Sequence, residues 1–321
     1  MTIDTNMTVV VSAITQVAES VKRFRLTRSD GAPLPLFSGG SHVIVTMNDG
    51  DRVRRNAYSL MSSPRDCSAY ELSILRTNNS RGGSTFLHDK VRVGDSLIIS
   101  QPVNLFPLDA RARKHVFVAG GIGITPFMAM MDQLTHEGRS FELHYAIRNR
   151  GHGAFWRELV EMYGADRVTI YVDDEKQFIP VETVLAAQAL GTHLFVCGPE
   201  GMINGVLTKA RNQGWPEQSL HCERFLAPPP GDRFRAVLKR AGMTIEVASH
   251  QSILEAVEAA GVDARYMCRG GACGECETNV LSHEGTIVHN DHYLEPVDRS
   301  QGRKIMICVS RLAGKEIVLD L

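Results

Sequence analysis

Between positions 268 and 276 the chain reads Cys268-Arg269-Gly270-Gly271-Ala272-Cys273-Gly274-Glu275-Cys276, and a further cysteine stands at Cys308. The spacing C-x4-C-x2-C…C is that of plant-type [2Fe-2S] ligation, in which one tight loop presents three thiolates and a distant segment supplies the fourth. Gly270, Gly271 and Gly274 are expected to let the backbone wrap closely and point N–H groups at the sulfurs, hydrogen bonds that help set a cluster's potential. A zinc site or a set of buried structural thiols competes with this reading. Structural zinc usually uses paired C-x2-C units, however, and this chain has a single such pair. The segment around the loop is therefore constrained to a cluster-binding module, and electron transfer is the expected chemistry.

The 321 residues are enough for two or three domains at about 150 residues each. A net charge of -1 and the lack of any basic run argue against a nucleic-acid binder. Of the seven cysteines, four belong to the loop and its distant partner, while Cys67, Cys197 and Cys222 are scattered. That is no disulfide framework, and it predicts a reducing, cytoplasmic setting. The opening MTIDTNMTVV has neither a basic n-region nor an apolar core, and no stretch approaches the ~18 consecutive apolar residues of a membrane span. A monomer with no membrane partner is expected.

Residues 1–110 carry the short alternating runs TVVVSAI, KRFRLTR, HVIVTM, AYSL, YELSILR and SLIIS, separated by Gly, Asn, Asp and Pro turns. Six such strands predict a small closed antiparallel β-barrel. Over 111–226 the runs HVFVAGG, FELHYAI, RVTIYV and THLFVCG are continuously apolar, and amphipathic stretches such as PFMAMMDQLTHEG and AFWRELVEMYG follow several of them. Strand then helix, repeated, predicts an α/β doubly wound parallel sheet. Ala227-Pro228-Pro229-Pro230-Gly231-Asp232 breaks the periodicity, so 227–233 reads as a stiff, extended linker. Residues 234–321 hold two β runs, a helix near SILEAVEAAG, the cysteine loop and a closing strand pair around IMICVS and IVLDL, an α+β pattern.

Two glycine-rich segments carry further chemistry. Gly120-Gly121-Ile122-Gly123-Ile124-Thr125-Pro126 joins a strand to a helix. There glycines admit a phosphate close to the backbone, Thr125 is expected to cap the helix, and Pro126 suits its first turn. The turn falls at the carboxyl end of the first strand of an open sheet, and Cys197-Gly198 makes a second sharp turn at another strand end, where such sheets bind ligands. In the barrel, Tyr58 offers a wall for a flavin ring. Arg81, Ser84 and the N–H groups around Gly82 and Gly83 offer a phosphate seat. Read alone, a strand tyrosine is core and an Arg-Gly-Gly loop is a turn.

The order of these motifs, a barrel with Tyr58-Ser59-Leu60, then GGIGITP, then Cys197-Gly198-Pro199, then the cysteine pattern, resembles the phthalate dioxygenase reductase family along essentially the whole chain. That family includes reductases of vanillate and carnitine-type oxygenase systems. The resemblance implies an FMN barrel, an NAD domain and a ferredoxin-like β-grasp domain, with NADH passing electrons through FMN and a [2Fe-2S] cluster held by Cys268, Cys273, Cys276 and Cys308 to a Rieske-type terminal oxygenase. It implies flavin contacts from Asn56, Ala57, Tyr58 and Ser59, from the strand segment Ile74, Leu75 and Arg76, and from Arg81, Gly82, Gly83 and Ser84. It implies nucleotide contacts from Gly120, Gly121, Gly123, Thr125, Pro126, Cys197 and Gly198. Asp173, or Asp174 beside it, would accept the adenosine ribose and so favour NADH, while Arg148 would attract a 2′-phosphate. Ser59, Cys197 and Phe225 would stand at the reacting rings, although Cys197 reads equally as a small buried hydrophobe.

One departure is plain. The family segment R-x-Y-S opens with arginine, and Asn56 stands there in this chain. Arg55, one residue earlier, would face the other way in a strand. Either Arg81 carries the phosphate charge with Asn56 as a neutral donor, or the flavin is held more loosely; Arg54 and Arg55 read as a solvated outer face. Hydride transfer to flavin requires no acid–base pair, so His88, His144 and His221 read as packing or surface residues. Two alternatives stand beside the reductase: a flavin and iron-sulfur reductase serving a non-Rieske acceptor, and a non-catalytic iron-sulfur sensor.

Overall fold

A computed structural model describes residues 6–50, 52–77, 82–226 and 230–321, and the chain divides into two compact units, Met1–Arg224 and Phe225–Leu321. The first unit opens with β1 (Asn6–Ala18), β2 (Val21–Thr27), β3 (Ser41–Asp49), β4 (Arg52–Ser59) and β5 (Tyr70–Leu75). Helix α1 (Gly83–Asp89), β6 (Ser96–Ser100) and the short β7 (Val103–Asn104) follow. The strands pair antiparallel in the order β4-β3-β6-β1-β2-β5, with β7 on β3. Period-two patterning makes this sheet: Phe24 and Leu26, Val43 and Val45, Leu72 and Ile74 point into one shared apolar core. Truncating one of them, as in Leu72→Ala, costs about 2–5 kcal/mol. β4 and β5 end the strand path, and the Met61 N–H donates to the Glu71 carbonyl (2.9 Å) just beyond β4. Helix α1 packs against β3, β4 and β5 and sends Leu87 into the barrel core.

The same unit continues as β8 (Lys114–Gly120), α2 (Thr125–His136), β9 (Ser140–Ile147), α3 (Trp156–Tyr163), β10 (Val168–Val172), α4 (Val181–Ala186), β11 (Thr192–Cys197), α5 (Glu200–Asn212) and β12 (Leu220–Glu223). All five strands run parallel in the order β10-β9-β8-β11-β12. The apolar run of β8 follows from burial on both faces. Phe117 and Ala119 join the core with α2 and α3, whereas Val116 and Val118 join the core with α4 and α5. From β8 the chain steps outward to β9 and β10, then returns to β11 on the opposite side. A crevice must therefore open between the carboxyl ends of β8 and β11.

The second unit comprises β13 (Phe234–Leu238), β14 (Met243–Val247), α6 (Ile253–Ala259), β15 (Glu277–Val288), α7 (Pro296–Gln301), β16 (Lys304–Met306) and β17 (Arg311–Leu319). Their order is β14-β13-β17-β15-β16, parallel only between β13 and β17. A capping box starts α6: Glu255 N–H donates to Ser252 Oγ (3.1 Å) and Ser252 N–H to Glu255 Oε2 (2.8 Å), which adds about 1 kcal/mol. Ile253, Leu254 and Val257 then enter the core. The expected strand IMICVS ends at Met306, because residues 307–309 turn to present Cys308. β16 and β17 both pair with the long β15 rather than with each other. β15 lacked an apolar run because most of its residues are exposed. Ala227, Pro228 and Pro229 of the expected linker lie outside the described residues. Gly231, by contrast, already donates its N–H to the Ser249 carbonyl (3.1 Å). Among the described residues no helix is long and apolar enough to cross a membrane.

Candidate functional site

In β4 alternate residues share a face, and directly paired residues across an antiparallel ladder share it too. Arg54, Asn56 and Tyr58 therefore lie on the side of Met47, Val45 and Val43, their partners in β3. Tyr58 Oη accepts from Asn56 Nδ2 at 3.2 Å, and burial pushes the phenol up to about 12. The loop entering α1 is read by this face one glycine per side chain. A Cβ on Gly83 would sit 2.3 Å from Asn56 Nδ2, and one on Gly82, whose φ is +98°, would sit 3.1 Å from Arg54 Nη2. Arg54 is thus no solvated outer residue. Its side chain is 13% exposed and its Nη1 donates to Asp49 Oδ2 at 3.1 Å. The alternation that turns Arg55 away brings Arg54 in.

Arg81, with Asn79 and Ser80, lies outside the described residues. Ser84 is buried, and its hydroxyl accepts from the Thr77 N–H (3.3 Å). Ile74 turns its side chain into the barrel core, while its carbonyl meets the ring of buried His88 at 2.8 Å. Leu75 packs with Ile122 against the core of the parallel sheet. Arg76 follows the end of β5 and pairs with Asp89 at 3.0 Å. Ala57 is exposed on the opposite face of β4.

At the crevice of the parallel sheet the two turns are pressed together. A Cβ on Gly123 would come within 2.3 Å of the Cys197 carbonyl, one on Gly120 within 2.7 Å of Pro199 Cδ, and one on Gly198 within 3.0 Å of Gly120 Cα. Gly121–Ile124 forms a 3-10 turn, held by Tyr145 Oη donating to the Gly121 carbonyl (3.0 Å). Thr125 does not cap α2. It is the first helical residue, and its hydroxyl donates backwards to the Ile122 carbonyl (3.0 Å) because the 3-10 turn runs directly into the helix. Pro126 occupies the first turn as expected.

Sequence reading missed the most perturbed acid. Glu223 ends β12 in register with Cys197 at the end of β11. Its Oε2 is sealed from solvent and has no hydrogen-bond partner among the described residues. Burial pushes this carboxyl up to about 8, with the nearby Ser59 hydroxyl pulling the other way. It therefore keeps its proton at neutral pH. Cys197 is fully buried, and burial with the neighbouring Glu223 and Cys222 pushes its thiol well above the ordinary value, so it stays a neutral thiol and no nucleophile. Ser59, Cys197 and Glu223 thus bring the end of β4 to the carboxyl ends of β11 and β12. Phe225, two residues on from Glu223, is 49% exposed and opens the second unit.

Asp173 is exposed directly after β10. Its neighbour Asp174 accepts from Asn149 Nδ2 (3.2 Å), and Glu175 clamps Arg150 in a fork of 2.7 and 2.9 Å. Arg148 is exposed at the end of β9.

In the second unit Cys268, Cys276 and Cys308 are buried and Cys273 partly so. The Cys268 thiol is lowered to about 5 by the Cys273 thiol and by the N–H groups of Ala272, Gly270 and Cys273, while Cys276 likewise meets Cys308. Gly271 and Gly274 have φ of +71° and +84°, and a Cβ there would strike Val309 and Tyr293, so both positions require glycine. Gly270 has room for a side chain; its contribution is an N–H 3.3 Å from Cys268 Sγ. Arg269 also has positive φ, 51°, and is fixed by a buried pair with Glu258 and by stacking 4.0 Å over the Tyr266 ring. Four thiols with amide donors aimed at one of them fit an iron-sulfur cluster.

Two family models match the chain: "Dimethylamine monooxygenase subunit DmmA-like, N-terminal domain" over residues 96–220, and "2Fe-2S iron-sulfur cluster binding domain" over residues 237–313. The carnitine monooxygenase reductase subunit of Escherichia coli (strain K12) is 45% identical over 97% of each chain. The heme-dependent oxidative N-demethylase beta subunit of Ectopseudomonas mendocina (strain ymp) is 42% identical over 97% of each. A solved phthalate dioxygenase reductase, described as a modular structure for electron transfer from pyridine nucleotides to [2Fe-2S], superimposes with a TM-score of 0.90 at 34% identity, over 99% of this chain and 98% of that one.

Proposed function

The chain belongs to the phthalate dioxygenase reductase-like family, and on that premise we propose that it is the reductase component of an oxygenase system, using NADH, FMN and a [2Fe-2S] cluster to supply a Rieske-type terminal oxygenase. The observation that carries this reading is the meeting of Ser59, Cys197 and Glu223 at the crevice of the parallel sheet, in a chain that also holds the four-thiol loop. A bound flavin converts a hydride's electron pair into single electrons, and a bound cluster carries them one at a time. The residues supply the setting. Gly120, Gly123 and Gly198 let the two turns close on each other, Gly121, with open space where a Cβ would stand, lets a dinucleotide approach the backbone, and Asp173 repels a 2′-phosphate, favouring NADH over NADPH. Glu223 holds a proton at its carboxyl beside Ser59 of the barrel. Cys197, Leu75 and Ile122 keep the surroundings apolar and dry. Four cysteines at the cluster and three scattered ones suit a protein working in the reducing cytoplasm, and we take it to be a monomer.

The test is a spectrum of the purified full chain. Flavin absorption near about 450 nm with broad cluster absorption, both bleached by NADH, is the expected result; cluster colour without flavin would sink the reading. A heme-containing acceptor is the second reading, favoured by the 42% identity to the heme-dependent N-demethylase subunit. NADH consumption coupled in turn to a Rieske oxygenase and to a heme demethylase separates the two.

A further inference from the structure

We propose that Asp291 is the positioning residue that ties the three-thiol loop to the segment carrying Cys308, and so sets how firmly the distant ligand meets the other three; this rests on the reading of Cys268, Cys273, Cys276 and Cys308 as the cluster's ligands. A carboxylate is costly to bury, and packing alone would be served by an apolar side chain. The Asp291 side chain is nonetheless sealed from solvent, and both of its oxygens are engaged. Oδ2 accepts from the Leu294 N–H (2.9 Å) and from Arg299 Nη2 (3.4 Å), a nitrogen that also donates to the Asp291 carbonyl (2.7 Å). Oδ1 accepts from the Ser310 hydroxyl (3.1 Å), with His289 Nδ1 3.5 Å away. These bonds fix the bend between β15 and α7, and that bend touches both cysteine segments. Toward the loop, His292 donates its N–H to the Gly271 carbonyl (3.1 Å), a Cβ on Gly271 would lie 3.0 Å from Asp291 Cα, and one on Gly274 would strike the Tyr293 ring. Toward Cys308, fully buried Ser310 takes the Asn290 N–H on its Oγ (3.1 Å) while giving its own proton to Asp291. The turn presenting Cys308 is closed by the N–H groups of Val309 and Ser310, both donated to the Met306 carbonyl (3.2 and 2.9 Å), and the Leu254 N–H holds its near side at the Ile307 carbonyl (3.0 Å). Asp291 holds the far side, through Ser310, from the same bend that rests on the loop.

The full chain, loaded with its cluster, is mixed with an iron chelator and the bleaching of cluster absorbance is timed, with the electron paramagnetic resonance spectrum of the reduced cluster recorded beside it. Asp291→Ala is expected to release iron about tenfold faster, the kinetic equivalent of one lost buried partner, and to change the g-values of the reduced cluster. Ser310→Ala cuts the same link from the other side. It is expected to act in the same direction and to add nothing further to Asp291→Ala, because the two residues work as one unit. Val247→Ala thins the core at β14, the edge of the sheet opposite β16; it is expected to lower the Tm while leaving iron release and the g-values native. The proposal is overturned if folded Asp291→Ala keeps the native release rate and g-values, if the two substitutions add in full, or if Val247→Ala releases iron as fast at the same loss of Tm. Should Asp291→Ala fail to fold, Ser310→Ala decides alone, and a native rate and spectrum there overturn the proposal. A Cys308→Ser chain that keeps its cluster would break the reading of the ligands, and the proposal with it.

Discussion

The cysteine loop and the crevice at Ser59, Cys197 and Glu223 are built by opposite strategies. In the loop, three ligands and both required glycines fall within nine residues, and only Cys308 comes from afar. At the crevice no two of the three side chains are closer than 26 positions in sequence, and register alone unites them: β11 with β12, and the end of β4 against both. A local site is specified by spacing, and its failure is abrupt. An assembled site is specified by strand ends, and its parts are open to graded change.

Breaking the local site gives the largest effect. Cys308→Ser removes the one distant ligand, so absorbance and iron content should show complete loss of the cluster, with flavin reduction by NADH retained; a retained cluster would mean the loop needs no distant ligand. Next comes Glu223→Gln, which keeps shape but discards the titrating proton. Because hydride transfer itself needs no acid–base pair, what is lost is the packing of a neutral carboxyl against Ser59 and Cys197, and flavin reduction in stopped flow should slow by about tenfold, the equivalent of about 1.4 kcal/mol. The pH profile sharpens this. The folded carboxyl is raised to about 8, so the stability it confers is present below its unfolded value near about 4.5 and is lost as pH rises toward 8. Thermal melts of the native chain should fall across that window and those of Glu223→Gln should fall less.

A smaller effect is expected from Gly123→Ala. Its Cβ would lie 2.3 Å from the Cys197 carbonyl, an overpacking cost of about 1–3 kcal/mol, read as a lower Tm and a raised KM for NADH. Unchanged values would show that the two turns separate freely. The smallest change is Glu175→Gln. It releases Arg150 from its fork and should improve kcat/KM for NADPH relative to NADH only slightly, since an exposed ion pair is worth little. No change in that ratio would leave Asp173 as the carrier of the preference.

This contrast also explains what the sequence showed. Barrel strands, the β8 turn and the cysteine loop were legible because period, glycine and spacing are local properties. β15 was not, since a strand exposed over most of its length has no apolar run. Glu223 carried no local signal, and only the register of β12 with β11 places it beside Cys197. Arg54 was misjudged as solvated because the length of β4, and the glycine loop that covers its face, are tertiary facts.

Arg269 ties the thiol loop to the helix that precedes it. Its left-handed backbone is anchored by Glu258 of α6, a helix fixed by its own capping box, and by the Tyr266 ring. Residues that are not ligands therefore hold the backbone carrying Cys268 and the Gly270 N–H, so a change at Glu258 or Tyr266 reaches the thiol loop without touching a thiol.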